Sequence, residues 1–134
     1  DLPVSGTVFI SVKEGDKDAM IEPARELVGL GFSILATGGT AKALEEANIP
    51  VTRVNKVLEG RPHIVDSMKN GEVQLVFNTT EGMQSLKDSF LIRRTALTID
   101  IPYYTTVSGA RATIQAIKRL KTGGLDVRAL QTYI

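Results

Sequence analysis

The chain has 134 residues, enough for one domain, residues 1–134, with its own core. Sixteen Lys and Arg against 15 Asp and Glu leave a formal charge of +1, without the basic excess of a general nucleic-acid binder. With no cysteine, disulfide frameworks and thiolate metal sites are excluded, and no apolar run nears the ~20 residues of a membrane span.

The opening stretch "DLPVSGTVFISV" lacks the order of a signal peptide, so a cytoplasmic location is expected, and a start at Asp1 reads as a piece cut from something longer. Within it, "GTVFISV" (6–12) alternates and is rich in β-formers, which predicts the first strand. "KDAMIEPARELVGLG" (17–31) sets Met20, Ala24, Leu27 and Val28 on one helical face, with Asp16 as N-cap and Gly31 as stop. Pro23 fits that helix badly and predicts a kink or a late start. "FSILAT" (32–37) is the second strand, "TAKALEEAN" (40–48) a short helix, and "PVTRVNKV" (50–57) the third strand. Ile64, Val65 and Met68 mark a short helix closed by Asn70-Gly71. "VQLVFNTT" (73–80) is apolar enough for a strand buried on both faces. A helix over 89–101 ends before Pro102, "YYTTV" (103–107) is the fifth strand, and 109–120 an amphipathic last helix. Residues 121–134 are less regular and read as a tail or an interface segment. The strict β-α alternation predicts an α/β fold, a Rossmann-like three-layer α/β/α sandwich around a parallel sheet.

In such sheets ligands bind beyond the carboxyl ends of the strands. Those ends carry Ser11, Lys13, Asp16 and Lys17, then Thr37-Gly38-Gly39-Thr40, Lys56, Asn78-Thr79-Thr80, and finally Thr105, Thr106 and Ser108. Hydroxyls, backbone donors beside glycine and lysine ammoniums are what a phosphate needs. Asn78 adds an amide able to read a ribose or a base. No convergent pair of carboxylates for acid–base work is evident. Taken alone, "TGGT" equally describes a tight strand-to-helix turn, and it is neither a Walker loop nor a dinucleotide fingerprint. His63, the lone histidine, reads as structural, and Arg93-Arg94 as a helix face or an interdomain contact. Convergence of several such clusters points to a phosphate-bearing small ligand.

The segments "FISVKEGDK", "ATGGTAKAL", "VNKVLEGRPHIVDSMKNGEV", "VFNTTEG", "IRRTAL" and "YYTTVSGARAT" together resemble a known family, from about Gly6 to Leu120. It is the C-terminal regulatory domain of the large subunit of bacterial glutamine-dependent carbamoyl-phosphate synthase, a methylglyoxal-synthase-like domain. The resemblance implies a five-stranded parallel sheet of order 3-2-1-4-5 and a domain that binds effectors rather than performing synthesis. It implies UMP as inhibitor, IMP as a competing activator, and ornithine acting from a place shared with a neighbouring domain. The phosphate pattern carries over onto Lys17, Thr37, Gly39, Thr40 and Lys56. Ser11, Asn78, Thr79 and Thr80 match positions near the ribose and base, and Tyr103 and Thr105 the ornithine site. No catalytic residue, metal or cofactor is implied in this domain. ATP, Mg or Mn, and K, with bicarbonate and ammonia chemistry, belong to the rest of the synthase, as does its glutaminase small subunit. Neither nucleic acid nor membrane is expected as a partner.

Methylglyoxal synthases of this fold carry a catalytic Asp in a "GGDQ" stretch. Gly60-Arg61-Pro62-His63 aligns there, with Arg61, which stays protonated, at the Asp position. An IMP-cyclohydrolase-type domain shares the "TGGTA" pattern, but its downstream stretch is replaced here by "EGRPHI". An interaction domain with a vestigial pocket is the third possibility. "ATGGTA", Lys56 and "NTT" suit a nucleoside monophosphate better than the N-acetylglutamate of the animal urea-cycle form.

Overall fold

The computed structural model describes residues 2–55, 63–79 and 82–133, with side chains over 2–55, 63–79 and 89–122. Five strands, β1 (Thr7–Ser11), β2 (Ser33–Ala36), β3 (Thr52–Arg53), β4 (Leu75–Asn78) and β5 (Tyr103–Tyr104), pair in parallel in the order β3-β2-β1-β4-β5. The helices between them are α1 (Lys17–Gly29), α2 (Gly38–Glu46), α3 (Ile64–Lys69), α4 (Gly82–Thr98) and α5 (Val107–Tyr133). The expected fold class and strand order are therefore present. Among the described residues no helix is long and apolar enough to cross a membrane.

Strand alternation sorts the core into two layers. Val8, Ile10, Ile34, Leu75 and Phe77 face one side, against Met20 and Leu27 of α1, Leu44 of α2 and Ile114 and Ile117 of α5. Phe9 and Val76 face the other, against Ile64 and Met68 of α3 and Ile92 and Ala96 of α4. On this second side also lie the odd-numbered ends of β1 and β2 and the even-numbered end of β4. Ser11, Thr37 and Asn78 thus share one face at the carboxyl edge.

Several boundaries differ from the sequence expectation. Asp16 stands at the start of α1 without a capping bond, because a 3-10 turn, Glu14–Asp16, leads straight into Lys17. No late start occurs at Pro23, which lies inside α1. Proline has no N–H for the carbonyl of Ala19, and Arg111 Nη2 of α5 donates to that oxygen at 3.4 Å. The helix α2 begins at Gly38 rather than Thr40. The third strand is two exposed residues with a single neighbour, and the fifth is also two residues long. The helix expected over 89–101 begins at Gly82, where the helix formers Met83, Gln84, Leu86 and Lys87 extend it. The final segment is a continuation of α5 to Tyr133 rather than irregular, for Gly123 and Gly124 lower helix propensity without removing a hydrogen bond as proline would.

Helix ends aim the chain back into the sheet. After α1, Gly31 (φ +99°) lets Phe32 N–H donate to Leu27 O at 3.0 Å and Gly31 N–H to Val28 O at 3.0 Å, a Schellman closure. Asn48 (φ 62°) and Asp100 (φ 60°) take the same left-handed position after α2 and α4, with Ile49 and Ile101 bonding back.

Candidate functional site

The first turn of α2 is the centre of the site. Thr37 occupies the N-cap with extended backbone, and its carbonyl accepts the first helical bond from Ala41 N–H at 2.8 Å. The N–H groups of Gly38, Gly39 and Thr40 find no acceptor among the described residues, as the first turn of any helix dictates. The Thr37 hydroxyl does not cap them, because it is shared with Ser11 Oγ at 3.0 Å.

Lys17 reaches this turn from α1, which packs on the same face of the sheet as α2. The 3-10 turn after the strand makes it the first residue of α1, and its ammonium lies over Gly39. A methyl group built on Gly39 would lie 2.7 Å from Lys17 Nζ, so any side chain there would push the cation off the turn. Lys17 is largely buried, at 18% side-chain exposure, and its ammonium pairs at 2.8 Å with Glu14, which is 83% exposed. Lys17 and the Thr37-Gly38-Gly39-Thr40 turn, two separate stretches of sequence, therefore lie together at the start of α2.

Thr40 serves that cradle through its backbone. Its buried hydroxyl is tied to β1, accepting from Val12 N–H at 3.0 Å and facing Val12 O at 3.4 Å. Thr79 has a similar task. Its N–H donates to Ser11 O at 3.0 Å, and its hydroxyl accepts from Lys13 N–H at 2.9 Å. Both hydroxyls fix the strand ends.

Asn78 is 3% exposed and sits beside Ser11 in the β1–β4 register. Its Nδ2 donates to Ser89 Oγ at 3.0 Å and to Tyr103 Oη at 2.9 Å. Burial pushes the Tyr103 phenol above its ordinary value of 10.0, opposed by the bond from Asn78 and the Arg93 charge, so the phenol stays protonated at neutral pH. Thr105 is exposed at the end of β5. Lys56 and Thr80 lie outside the described residues, as do Glu59, Arg61 and Pro62. Asp66 accepts from the His63 N–H at 2.9 Å, while the buried His63 Nδ1, 3.8 Å from the same carboxylate, has no hydrogen-bond partner among the described residues. Glu14 and Ser89 were missed in the sequence. Glu14 had only its place three residues before Lys17, and Ser89 gave no signal, because its contact arises from the packing of α4 over β4. A separate open cleft of about 450 Å³ between β3 and α3, lined by Arg53, Asn55, Asp66 and Ser67 among others, contains none of the expected site residues.

The family model for the MGS-like domain matches residues 19–105. The chain belongs to the MGS-like domain family. Over 133 residues it is 52% identical to the carbamoyl phosphate synthase large chain of Rhizobium meliloti (strain 1021), covering 99% of this chain and 11% of that protein. Over 117 residues it is 54% identical to the corresponding large chain of Pseudomonas aeruginosa PAO1, covering 87% of this chain and 11% of that one. It thus spans about a tenth of the length of these relatives. The crystal structure of methylglyoxal synthase from Elizabethkingia anophelis NUHP1 has the same MGS-like fold, with a TM-score of 0.66 and 20% identity over 84% of this chain and 79% of that one. At that identity the likeness concerns fold alone.

Proposed function

We propose that this MGS-like domain is the C-terminal effector-binding region of a carbamoyl-phosphate synthase large chain, and that it takes a nucleoside monophosphate with its phosphate on the first turn of α2. The observation that supports this is the Lys17 ammonium held against Gly39. A helix N-terminus carries partial positive charge, so a cation there is opposed by roughly 0.3–1 kcal/mol. Only an anion turns the arrangement to advantage. Glu14 is a solvent-exposed substitute for it, and a phosphate would take its place, bonded by Lys17 and the N–H groups of the first turn.

UMP as inhibitor and IMP as activator would compete for this cradle and oppose each other by favouring different arrangements of the domain. Tyr103 and Thr105, at the β5 edge, would contribute to an ornithine site completed elsewhere in the larger protein. Synthesis itself, with its ATP, Mg or Mn and K, and the glutaminase small subunit, would belong to the remaining domains. Calorimetric titration with UMP, IMP and uridine tests the reading. UMP and IMP are expected to bind well above uridine, and equal affinity for uridine and UMP would refute it.

A further inference from the structure

The cation at the start of α2 is already engaged in the free domain. Lys17 Nζ donates to Glu14 Oε1 at 2.8 Å. The contact follows from the turn that joins β1 to α1. Lys13 N–H donates to Thr79 Oγ1 at 2.9 Å, which ties the start of that turn to the end of β4. Asp16 N–H donates to Lys13 O at 2.9 Å and closes the 3-10 turn Glu14–Asp16. In a 3-10 turn residues i and i+3 stand in line, so the Glu14 side chain is carried to Lys17. The two partners differ in freedom. The Lys17 side chain is 18% exposed and lies against Gly39, whereas that of Glu14 is 83% exposed. The carboxylate can swing into water at little cost, while the ammonium stays at the first turn of α2. A cation beside a helix N-terminus is disfavoured by the helix dipole, and Glu14 offsets this while no other anion is present.

We propose that Glu14 is a built-in competitor for the phosphate site: it holds the Lys17 ammonium in the free domain, and a phosphate monoester binds by exchanging with it. The inference rests on the nucleotide-binding function proposed above and adds the residue that tunes its strength. Every ligand that puts a phosphate on Lys17 must displace the same carboxylate, so all of them lose the same factor in affinity. That factor is the strength of one ion pair with an exposed partner, about two- to fivefold. Base and ribose take no part in the exchange. The factor is therefore equal for a pyrimidine nucleotide, a purine nucleotide and inorganic phosphate, and a ligand without a phosphate escapes it.

The test titrates the chain with UMP, IMP, inorganic phosphate and uridine, and repeats this for Glu14→Gln, Lys17→Ala and the double variant. Glutamine keeps the size of the side chain and removes its charge. Glu14→Gln is expected to tighten UMP, IMP and inorganic phosphate by one common factor of about two to five, to leave uridine unmoved, and to leave the urea midpoint in place. A merely structural role would instead lower that midpoint and spare the affinities. In the Lys17→Ala background Glu14→Gln is expected to bring no further tightening, since Glu14 competes only for that ammonium. UMP that beats uridine but is unchanged or weakened by Glu14→Gln would overturn this inference and leave nucleotide binding intact. Tightening that persists without Lys17 would also overturn it, because the charge would then repel the ligand through space rather than occupy its partner. UMP no better than uridine in every variant would overturn both readings.

Discussion

Substituting Gly39 by alanine should move stability and binding in opposite directions. Gly39 is in the first turn of α2, where alanine is the better helix former by about 0.5–1 kcal/mol. For a chain of this size that raises Tm by about 2–4 °C. The new methyl group would lie 2.7 Å from Lys17 Nζ, against about 3.5–4.0 Å for an ordinary contact, so the ammonium must retreat by roughly 1 Å. It is the free end of a long side chain and can do so without disturbing the core. A charge-assisted hydrogen bond is worth roughly 1.5–3 kcal/mol, and losing most of one weakens UMP by about 5- to 30-fold. Differential scanning calorimetry of the free chain and titration with UMP measure the two effects. Gly38→Ala is the control, since nothing lies within 4 Å of a methyl group there. A Gly39→Ala chain with raised Tm and undiminished UMP affinity would show that the phosphate does not rest between Lys17 and α2.

Lys17→Ala should weaken UMP and IMP alike by about tenfold or more, with little change in the free chain's urea midpoint, because its partner Glu14 is exposed. Thr40→Val should cost about 1–3 kcal/mol in urea denaturation, since it leaves the Val12 N–H without its acceptor. Tyr103, whose folded pKa is raised by burial, contributes stability that is full below its ordinary value of 10.0 and is lost as pH rises through the folded value. Alkaline melts of Tyr103→Phe should accordingly show a smaller loss above pH 10.0 than wild type. Dihydroxyacetone phosphate should give no methylglyoxal above background by direct assay. Product that disappears on Glu59→Gln or Asp66→Asn would assign a catalytic role instead.

Periodicity made the alternation of strands and helices legible, because a doubly wound sheet imposes period 2 and period 3.6 on successive stretches. Strand lengths were not legible. "PVTRVNKV" has the composition of a full strand, yet β3 has one neighbour and only Thr52 and Arg53 pair. Nor was the end of the chain, since glycine pairs suggest irregularity while α5 runs through Gly123 and Gly124. At the candidate site the residue types pointed to Lys17, Thr37, Gly39 and Thr40, which the fold brings together at the first turn of α2. They did not distinguish a hydroxyl offered to a ligand from one spent on the backbone. That distinction depends on Val12 and Lys13, whose N–H groups emerge past the β1 ladder and need Thr40 and Thr79. The contacts of Ser89 and Tyr103 to Asn78 span 11 and 25 residues and follow from packing that no local pattern encodes.

The bond from Val12 to Thr40 has a kinetic consequence. Val12 lies just beyond β1, and its amide hydrogen is secured by a side chain of α2. Deuterium can replace that hydrogen when the first turn of α2 lifts, without any strand of the sheet separating. The Val12 amide is therefore a clock for that turn alone. Occupancy of the cradle by an anion would slow it, while amides inside β1, such as Phe9, keep the pace of global opening.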